Sequence, residues 1–453
     1  MNTEDQKNQA TTEAAIGVEK SPWWWVPTLY FAEGVPYFVV NNISVMMFTK
    51  MGVPNGDMSF FTTLLYFPWF LKGIWSPIVD VVKTKRWWIV AMQVVMTAVM
   101  ILLTLTLPHP SSDVIGSGAT PISMFTLTLV LFIIAAFASA THDIAADGYY
   151  MLAHSQKSQA AFIGIRSVFY RVASIFGQGV LVYIAGKLET HYGDIPLSWQ
   201  ITIGVSAVIF FLITLYHLFV LPRSAQDTPR VTGEKIDFAV GIREFASSFV
   251  TFVKKPQVLL AIAFMLLYRL PEGFLIKLCM PFLVHGTAEG GLGLSTEDVG
   301  MVYGTYGVLA LTIGGILGGI YASRVGLKAS LWVNAACMTL PCLTFVYLAI
   351  AQPENIWVIS IAVAIEQFGY GFGFTAYMLY MMYFSEGEFK TSHYAICTAF
   401  MALSMMLPGF VAGYIQEAIG YVNFFWMVMV CCIATLVVTY FVDRKIDPEY
   451  GRK

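Results

Sequence analysis

Apolar residues run along this chain in long unbroken blocks, and polar residues gather between the blocks instead of alternating with them at the period of a surface strand or helix. A helical membrane crossing takes about 20 such residues. The pattern predicts twelve spans, at 23–48, 58–82, 87–107, 121–150, 160–188, 198–221, 257–284, 297–322, 328–350, 356–384, 392–418 and 422–442. The fourth and tenth are long enough to tilt or to project into the cytoplasm. The longest polar interruption, 221–256, divides the spans six and six. The expected fold is therefore an all-α membrane protein of twelve transmembrane helices in two six-helix bundles, 23–221 and 257–442, with a linker at 222–256 and cytoplasmic tails at 1–22 and 443–453.

Within the linker, Phe238, Ile242, Phe245, Phe249 and Phe252 recur at helical spacing and Lys254-Lys255 close the run. Such a stripe suits an amphipathic helix on the inner membrane surface, and it suits a solvated linker helix equally well. With both termini cytoplasmic, the inner loops carry Lys83, Lys85, Arg86, Lys157, Arg223, Arg230, Lys235, Arg243, Lys254, Lys255, Arg324, Lys328 and Lys390, and the outer loops only Lys50 and Lys187. That asymmetry sets the expected orientation.

Composition agrees with the pattern. Of 453 residues 57% are hydrophobic and 12% charged, with a mean hydropathy of +0.68, and that charge is about half of what a soluble chain carries. A net charge of −2 offers neither a polybasic surface for nucleic acid nor an acidic tail. The six cysteines lie in apolar stretches without metal-ligand or paired extracellular spacing, so they read as small buried hydrophobes and no metal or cofactor is expected. Met1 to Ser21 lack the basic start, short apolar core and small-residue cleavage site of a signal peptide, and none is expected.

The halves resemble each other weakly. Leu29-Tyr-Phe-Ala-Glu-Gly34 opens the first and Tyr268-Arg-Leu-Pro-Glu-Gly273 the second, aligning Glu33-Gly34 with Glu272-Gly273. After span two comes Ser76-Pro-Ile-Val-Asp80-Val-Val-Lys83-Thr-Lys85-Arg86, and after span eight Gly319-Ile-Tyr-Ala-Ser323-Arg324-Val-Gly326-Leu-Lys328. Both loosely resemble the Gly-x-x-x-Asp-Arg/Lys-x-Gly-Arg/Lys loop of the major facilitator superfamily, with Ser76 for the first glycine, Val81 interrupting the basic cluster and Ser323 for the acid. Two degenerate copies at equivalent places suggest duplicated, pseudo-symmetric halves.

Three further stretches are similar to the muropeptide-permease (AmpG) and acetyl-CoA-transporter branch of that superfamily. They are Tyr30-Phe-Ala-Glu-Gly-Val-Pro-Tyr37 in span one, Trp69-Phe-Leu-Lys72-Gly-Ile-Trp75-Ser-Pro-Ile-Val-Asp80 in span two, and Ala140-Thr-His-Asp143-Ile-Ala-Ala-Asp147-Gly-Tyr-Tyr150 ending span four. The resemblance implies movement of a polar solute across the membrane by alternating access, usually coupled to protons. Muropeptide permeases carry anhydro-sugar peptides released from the cell wall, and related branches carry siderophores or amino sugars. It also implies that spans one, two, five, seven and ten line a central cavity.

A charge at bilayer depth is costly and marks a candidate functional site. Glu33, Lys72, Arg171, Arg269, Glu272 and Glu366 lie about 15 to 23 Å into their spans at 1.5 Å per residue, near the midplane where transporters of this architecture place their substrate. Glu33 and Glu272 occupy matching places, and a carboxyl in a low-dielectric cavity could take up and release a proton near neutral pH. These two are the candidate proton carriers, with Glu33 favoured. Arg269 stands three residues before Glu272, so the two could simply neutralise each other. Arg171 and Lys72 have no acid one turn away on their own helices, which suits cavity-facing groups that grip a carboxylate. A cross-helix pair of Lys72 with Glu33 is the competing reading, and such a pair could itself be a switch.

Asp143 and Asp147 are one helical turn apart near the inner end of span four. With Asp80, Lys83, Lys85, Arg86 and Arg166 at the same level they read as a cytoplasmic gate closed by cross-helix ion pairs, with direct proton coupling or an inert surface cluster as alternatives. Tyr30, Tyr37, Tyr370 and Tyr377 border the expected cavity, where their faces would suit a sugar ring. With 15% aromatic residues, ordinary packing explains many of them, and Trp23-Trp24-Trp25 and Trp87-Trp88 read as interface anchors. Asn41, Asn42, Gln178, Gln367 and Asn334 are amides that could bridge helices or bind solute, with Asn41 favoured over Asn334. The glycines of 176–179, 314–319 and 371–373 permit close helix approach, and Pro36 and Pro271 beside the matched Glu-Gly pairs could open the helical ladder.

The expected function is secondary active transport: proton-coupled import of cell-wall-derived amino sugars or muropeptides across a bacterial inner membrane by a monomer. The expected partners are a polar solute, protons and the bilayer, with no nucleic acid. A siderophore or acyl-CoA cargo is the alternative. A membrane-embedded transferase is the contrasting class, but no paired histidines or Ser/His/Asp grouping emerge at mid-depth.

Overall fold

The structure is a computed structural model describing residues 21–107, 124–153, 156–224, 227, 249–387 and 390–450. All regular elements among the described residues are helical. We number them α1 (26–50), α2 (55–81), α3 (Lys85–Thr104), α4 (Met124–Ala153), α5 (156–192), α6 (Ile195–Val220), α7 (Val258–Val284), α8 (Thr296–Val325), α9 (Leu327–Ala351), α10 (Ile356–Ser385), α11 (390–419) and α12 (421–443).

Nine helices among the described residues are long and apolar enough to cross a membrane, one of them the 52-residue Ser392–Asp443. That helix turns at Gly420, whose φ of 75° lies where only glycine sits without strain, so α11 and α12 are separate segments. Side-chain caps start several helices. Thr84 accepts from the Trp87 amide, Asp194 from Leu197, Ser295 from Asp298 and Asn355 from Trp357, satisfying amides that a helix start leaves unpaired.

The helices around the centre are irregular where the polar residues fall. α1, α5 and α8 each widen into a π segment, at Val39–Ile43, Ile175–Leu181 and Val302–Gly307. α2 breaks between Asn55–Leu64 and Phe67–Val81, ahead of Pro68, and α7 between Val258–Leu267 and Leu270–Val284, ahead of Pro271. Proline cannot donate to the preceding turn, and non-helical backbone at membrane depth is tolerated where it is buried in protein or lines a cavity.

Most of the amphipathic stripe of the linker, Phe238 to Phe245, lies outside the described residues. Of its described end, Phe249 is exposed. Phe252 is fully buried against Phe384, His393 and Phe400, and the Lys255 ammonium caps the Phe384 and Glu386 carbonyls at the end of α10.

The two halves are tied together at one end, the end that the charge asymmetry predicts to be outer. Lys187 pairs with Glu297 at 2.8 Å, and Thr296 donates to Glu189 at 2.6 Å. Asn55 donates to Gln416 at 2.7 Å and to Tyr421 at 3.0 Å, the Gly56 amide to Glu417 at 2.8 Å, and Tyr414 to Asp57 at 2.9 Å. Glycines let backbones touch there. A Cβ on Gly304 would sit 1.9 Å from the Gln178 carbonyl oxygen, and one on Gly413 1.8 Å from that of Asn55. Among the described residues, the hydrogen bonds and ion pairs between the halves gather at this end and just beneath it. The molecule is thus sealed on one side.

Candidate functional site

The first half buries a charged cluster toward the unsealed end. Lys72 on α2 ion-pairs with Asp143 on α4, and the Glu33 carboxyl of α1 lies beside Asp143. Glu33 is 9% exposed and its Oε2 has no hydrogen-bond partner among the described residues. One turn further along α4, Asp147 accepts from Arg166 at 2.5 Å and from the Tyr30 hydroxyl at 3.1 Å. The Arg166 guanidinium stacks over Tyr30 at 4.3 Å and Tyr150 at 5.2 Å. Solvent reaches this cluster, because the side chains of Lys72 and Asp147 are 40% and 41% exposed.

Lys72 therefore pairs with Asp143 and not with Glu33, and Glu33 joins residues expected at the gate. Other expected gate residues lie apart. Arg86 donates to the Leu218 and Leu221 carbonyls at the end of α6, and its amide to Asp227. Lys83 is exposed in the α2–α3 turn at φ 62°. The side chain of Asp80 is outside what is described. His142 turns away from Asp143 into a buried chain: Gln93 contacts the His142 ring at 3.0 Å and His217 at 2.8 Å, and His217 meets Thr28 at 2.9 Å.

The second half holds its own cluster at the break of α7. Arg269 donates to the Tyr370 hydroxyl at 2.5 Å and lies over the rings of Phe374, Tyr370 and Tyr377 at 4.7, 5.5 and 5.7 Å. Glu272 and Glu366, 1% and 2% exposed, bring their carboxyls side by side. Gln367 donates to Glu366 at 2.8 Å, and neither Glu272 oxygen has a hydrogen-bond partner of good geometry among the described residues. Arg269 and Glu272 interact without forming a close ion pair. Tyr377 is fully buried and its hydroxyl is engaged by the Met265 carbonyl at 2.7 Å, so it supports Arg269 from beneath.

The π segments lie beneath the seal, where those of α5 and α8 meet at Gln178 and Gly304. Asn42 of α1 donates to Gln178 of α5 at 3.0 Å, and Gln178 donates to Ser174 at 2.9 Å. Asn41 donates to the Tyr37 carbonyl at 3.1 Å. Tyr37 packs in an aromatic group with Tyr66, Trp69 and Tyr170. Arg171 is half-buried and lies within electrostatic reach of Tyr370 of the other half. Asn334 binds the Ser330 carbonyl of its own helix. One central charge escaped the sequence reading: Lys277 of α7, 4% exposed, which reaches Thr62 of α2 at 3.2 Å and the Tyr66 ring at 5.0 Å. Its depth was readable from sequence by the rule that singled out Glu272.

Two sets of broken helices closing around buried charges and sealed at one end are the build of a membrane transporter. The family model of the Major Facilitator Superfamily matches residues 28–390, and the chain belongs to that family. Among curated proteins it is similar to putative transporter AmpG 4 of Rickettsia conorii, 24% identical over 430 residues that cover 92% of this chain and 96% of that protein. It is also similar to the anhydromuropeptide permease of Escherichia coli K12, 23% identical over 429 residues covering 94% and 80%. Among solved structures it shares its fold with a D-xylose–proton symporter, at a TM-score of 0.68 and 12% identity over 95% of this chain and 98% of that one. A POT family transporter in complex with 5-aminolevulinic acid also scores 0.68 at 12% identity, covering 93% and 96%.

Proposed function

We propose that this chain imports cell-wall-derived amino sugars or muropeptides by proton-coupled alternating access, as a monomer in a bacterial inner membrane with both termini cytoplasmic. The observation that carries the coupling is charge balance. The first cluster sets three carboxyls, Glu33, Asp143 and Asp147, against the two cations Lys72 and Arg166. The second sets Glu272 and Glu366 against Arg269. An unmatched charge at this depth costs several kcal/mol, and a bound proton removes it. Each cluster thus has one carboxyl on which a proton can ride, Glu33 and Glu272 being the candidates.

The cargo reading rests on the chemistry of the centre and on the permease similarity. Tyr37, Tyr66, Trp69 and Tyr170 offer faces for sugar rings, while Arg171 and Arg269 offer donors for carboxylates. Asp143, Asp147 and Arg166 then act at the unsealed end as the parts of the inner gate.

A thermal-shift panel on the purified protein tests the cargo. An anhydromuropeptide should stabilise it, by about 2.7 kcal/mol at a concentration of 100 Kd, and should be recovered chemically unaltered. Stabilisation by a ferric siderophore or an acyl-CoA alone contradicts the muropeptide reading, and an altered product would establish the transferase alternative.

A further inference from the structure

Lys277 sits little more than one turn beyond Glu272, just under the sealed end, and is 4% exposed. It has no ion pair among the described residues. Its ammonium meets one hydroxyl, Thr62, and one ring, Tyr66. It lines a small cavity with Asn41, Asn42, Tyr66 and Tyr303.

Two further features mark this cavity. Asn41 and Asn42 belong to the π segment of α1, Tyr303 to that of α8, and Tyr66 to the break in α2, so three helices depart from regular geometry around one ammonium. Such departures inside helices are frequent at functional sites. In addition, the Asn41 Oδ1 is 2% exposed at the residue level and has no hydrogen-bond partner among the described residues, leaving a buried acceptor unmet at a cost.

We propose that Lys277 and Asn41 form a subsite for one end of the transported solute, a carboxylate flanked by an amide N–H. The lysine takes the carboxylate as a charge-assisted donor, and Asn41 Oδ1 accepts from the N–H. In this state the cavity has room for about one water, so the end of the solute fills it only once the halves part. This subsite rests on the transporter reading above and adds to it which end of the solute is recognised. Because Lys277 belongs to one half and Asn41 to the other, the same end of the solute is held from both sides of the interface, its carboxylate by one half and its N–H by the other.

The test compares two probes, anhydromuramyl-alanine, whose single carboxyl ends an amide-linked residue, and its carboxamide. The wild-type protein should bind the acid at least about tenfold more tightly. Lys277→Met should bring the ratio near one while leaving carboxamide binding measurable, and Lys277→Arg should keep the preference. The ratio is read within each variant, so a smaller folded fraction cannot mimic the effect, and Lys277→Gln replaces the methionine variant should that not fold. An acid preference that survives in Lys277→Met, or equal binding of both probes by the wild type, overturns the subsite alone. Binding of neither probe by the wild type overturns the subsite together with the muropeptide reading.

Discussion

Lys72 and Asp143 show what single residues reveal before and after folding. A lysine in an apolar run stands out in sequence because nothing else pays for its burial. Its partner does not, because cross-helix pairing depends on the rotation and offset of two helices, and here it places Asp143 ahead of Glu33. The reverse holds for Lys277, whose meaning lies in its lack of an acid partner among the described residues, which only the packed structure displays. The Lys72–Asp143 pair is partly solvated, with side chains 40% and 15% exposed, so screening keeps its worth to stability near about 1 kcal/mol or less. Its role in transport should exceed that. Lys72→Met and Asp143→Asn should each cut uptake by about tenfold or more with small thermal shifts, and the double variant should recover part of the loss. Proteoliposome uptake beside melting curves checks this, and a double variant no better than either single one would deny that the two side chains act as a pair.

The helices themselves were largely legible, since blocks of about 20 apolar residues have few other uses, and the matched Glu-Gly pairs fall on α1 and α7 as expected. Their irregularities were not. Pro271 does follow directly on a break in α7, whereas the widening of α1 comes after Pro36, at Val39–Ile43, and nothing local in Asn41-Asn42 announces a π segment. Pairs of glycines likewise read as loose permission for close approach, and only packing shows which ones are used. Gly304 of α8 lies against Gln178 of α5, where a Cβ would sit 1.9 Å from a carbonyl oxygen. Gly304→Ala should destabilise the sealed arrangement by about 1–3 kcal/mol and shift the population toward an open outer end. Labelling from outside of a cysteine placed at Asn42, beneath the seal, should accelerate in that variant. Unchanged labelling would mean that the α5–α8 contact does not hold the outer end shut.

The whole molecule combines a seal at one end, a solvent-reached ionic cluster toward the other and charges of both signs in between, the arrangement that one state of an alternating-access carrier needs. Scarcity of charge made its core legible: Glu33, Lys72, Arg171, Arg269, Glu272 and Glu366 were identifiable from sequence because each interrupts an apolar span. The grouping of Glu33, Asp143 and Asp147 with Lys72 and Arg166, and of Glu272 and Glu366 with Arg269, each with one carboxyl more than its cations, was not, since it depends on which faces the folded helices present to one another. The coupling claim follows from that imbalance, and gradient-driven uptake in proteoliposomes tests it most directly. With the protein inserted in its cellular orientation, an acidic exterior should drive accumulation of anhydromuropeptide. Glu33→Gln should lower that accumulation by at least about tenfold while exchange of internal for external cargo continues. Uptake indifferent to the proton gradient, or full accumulation by Glu33→Gln, would contradict the account.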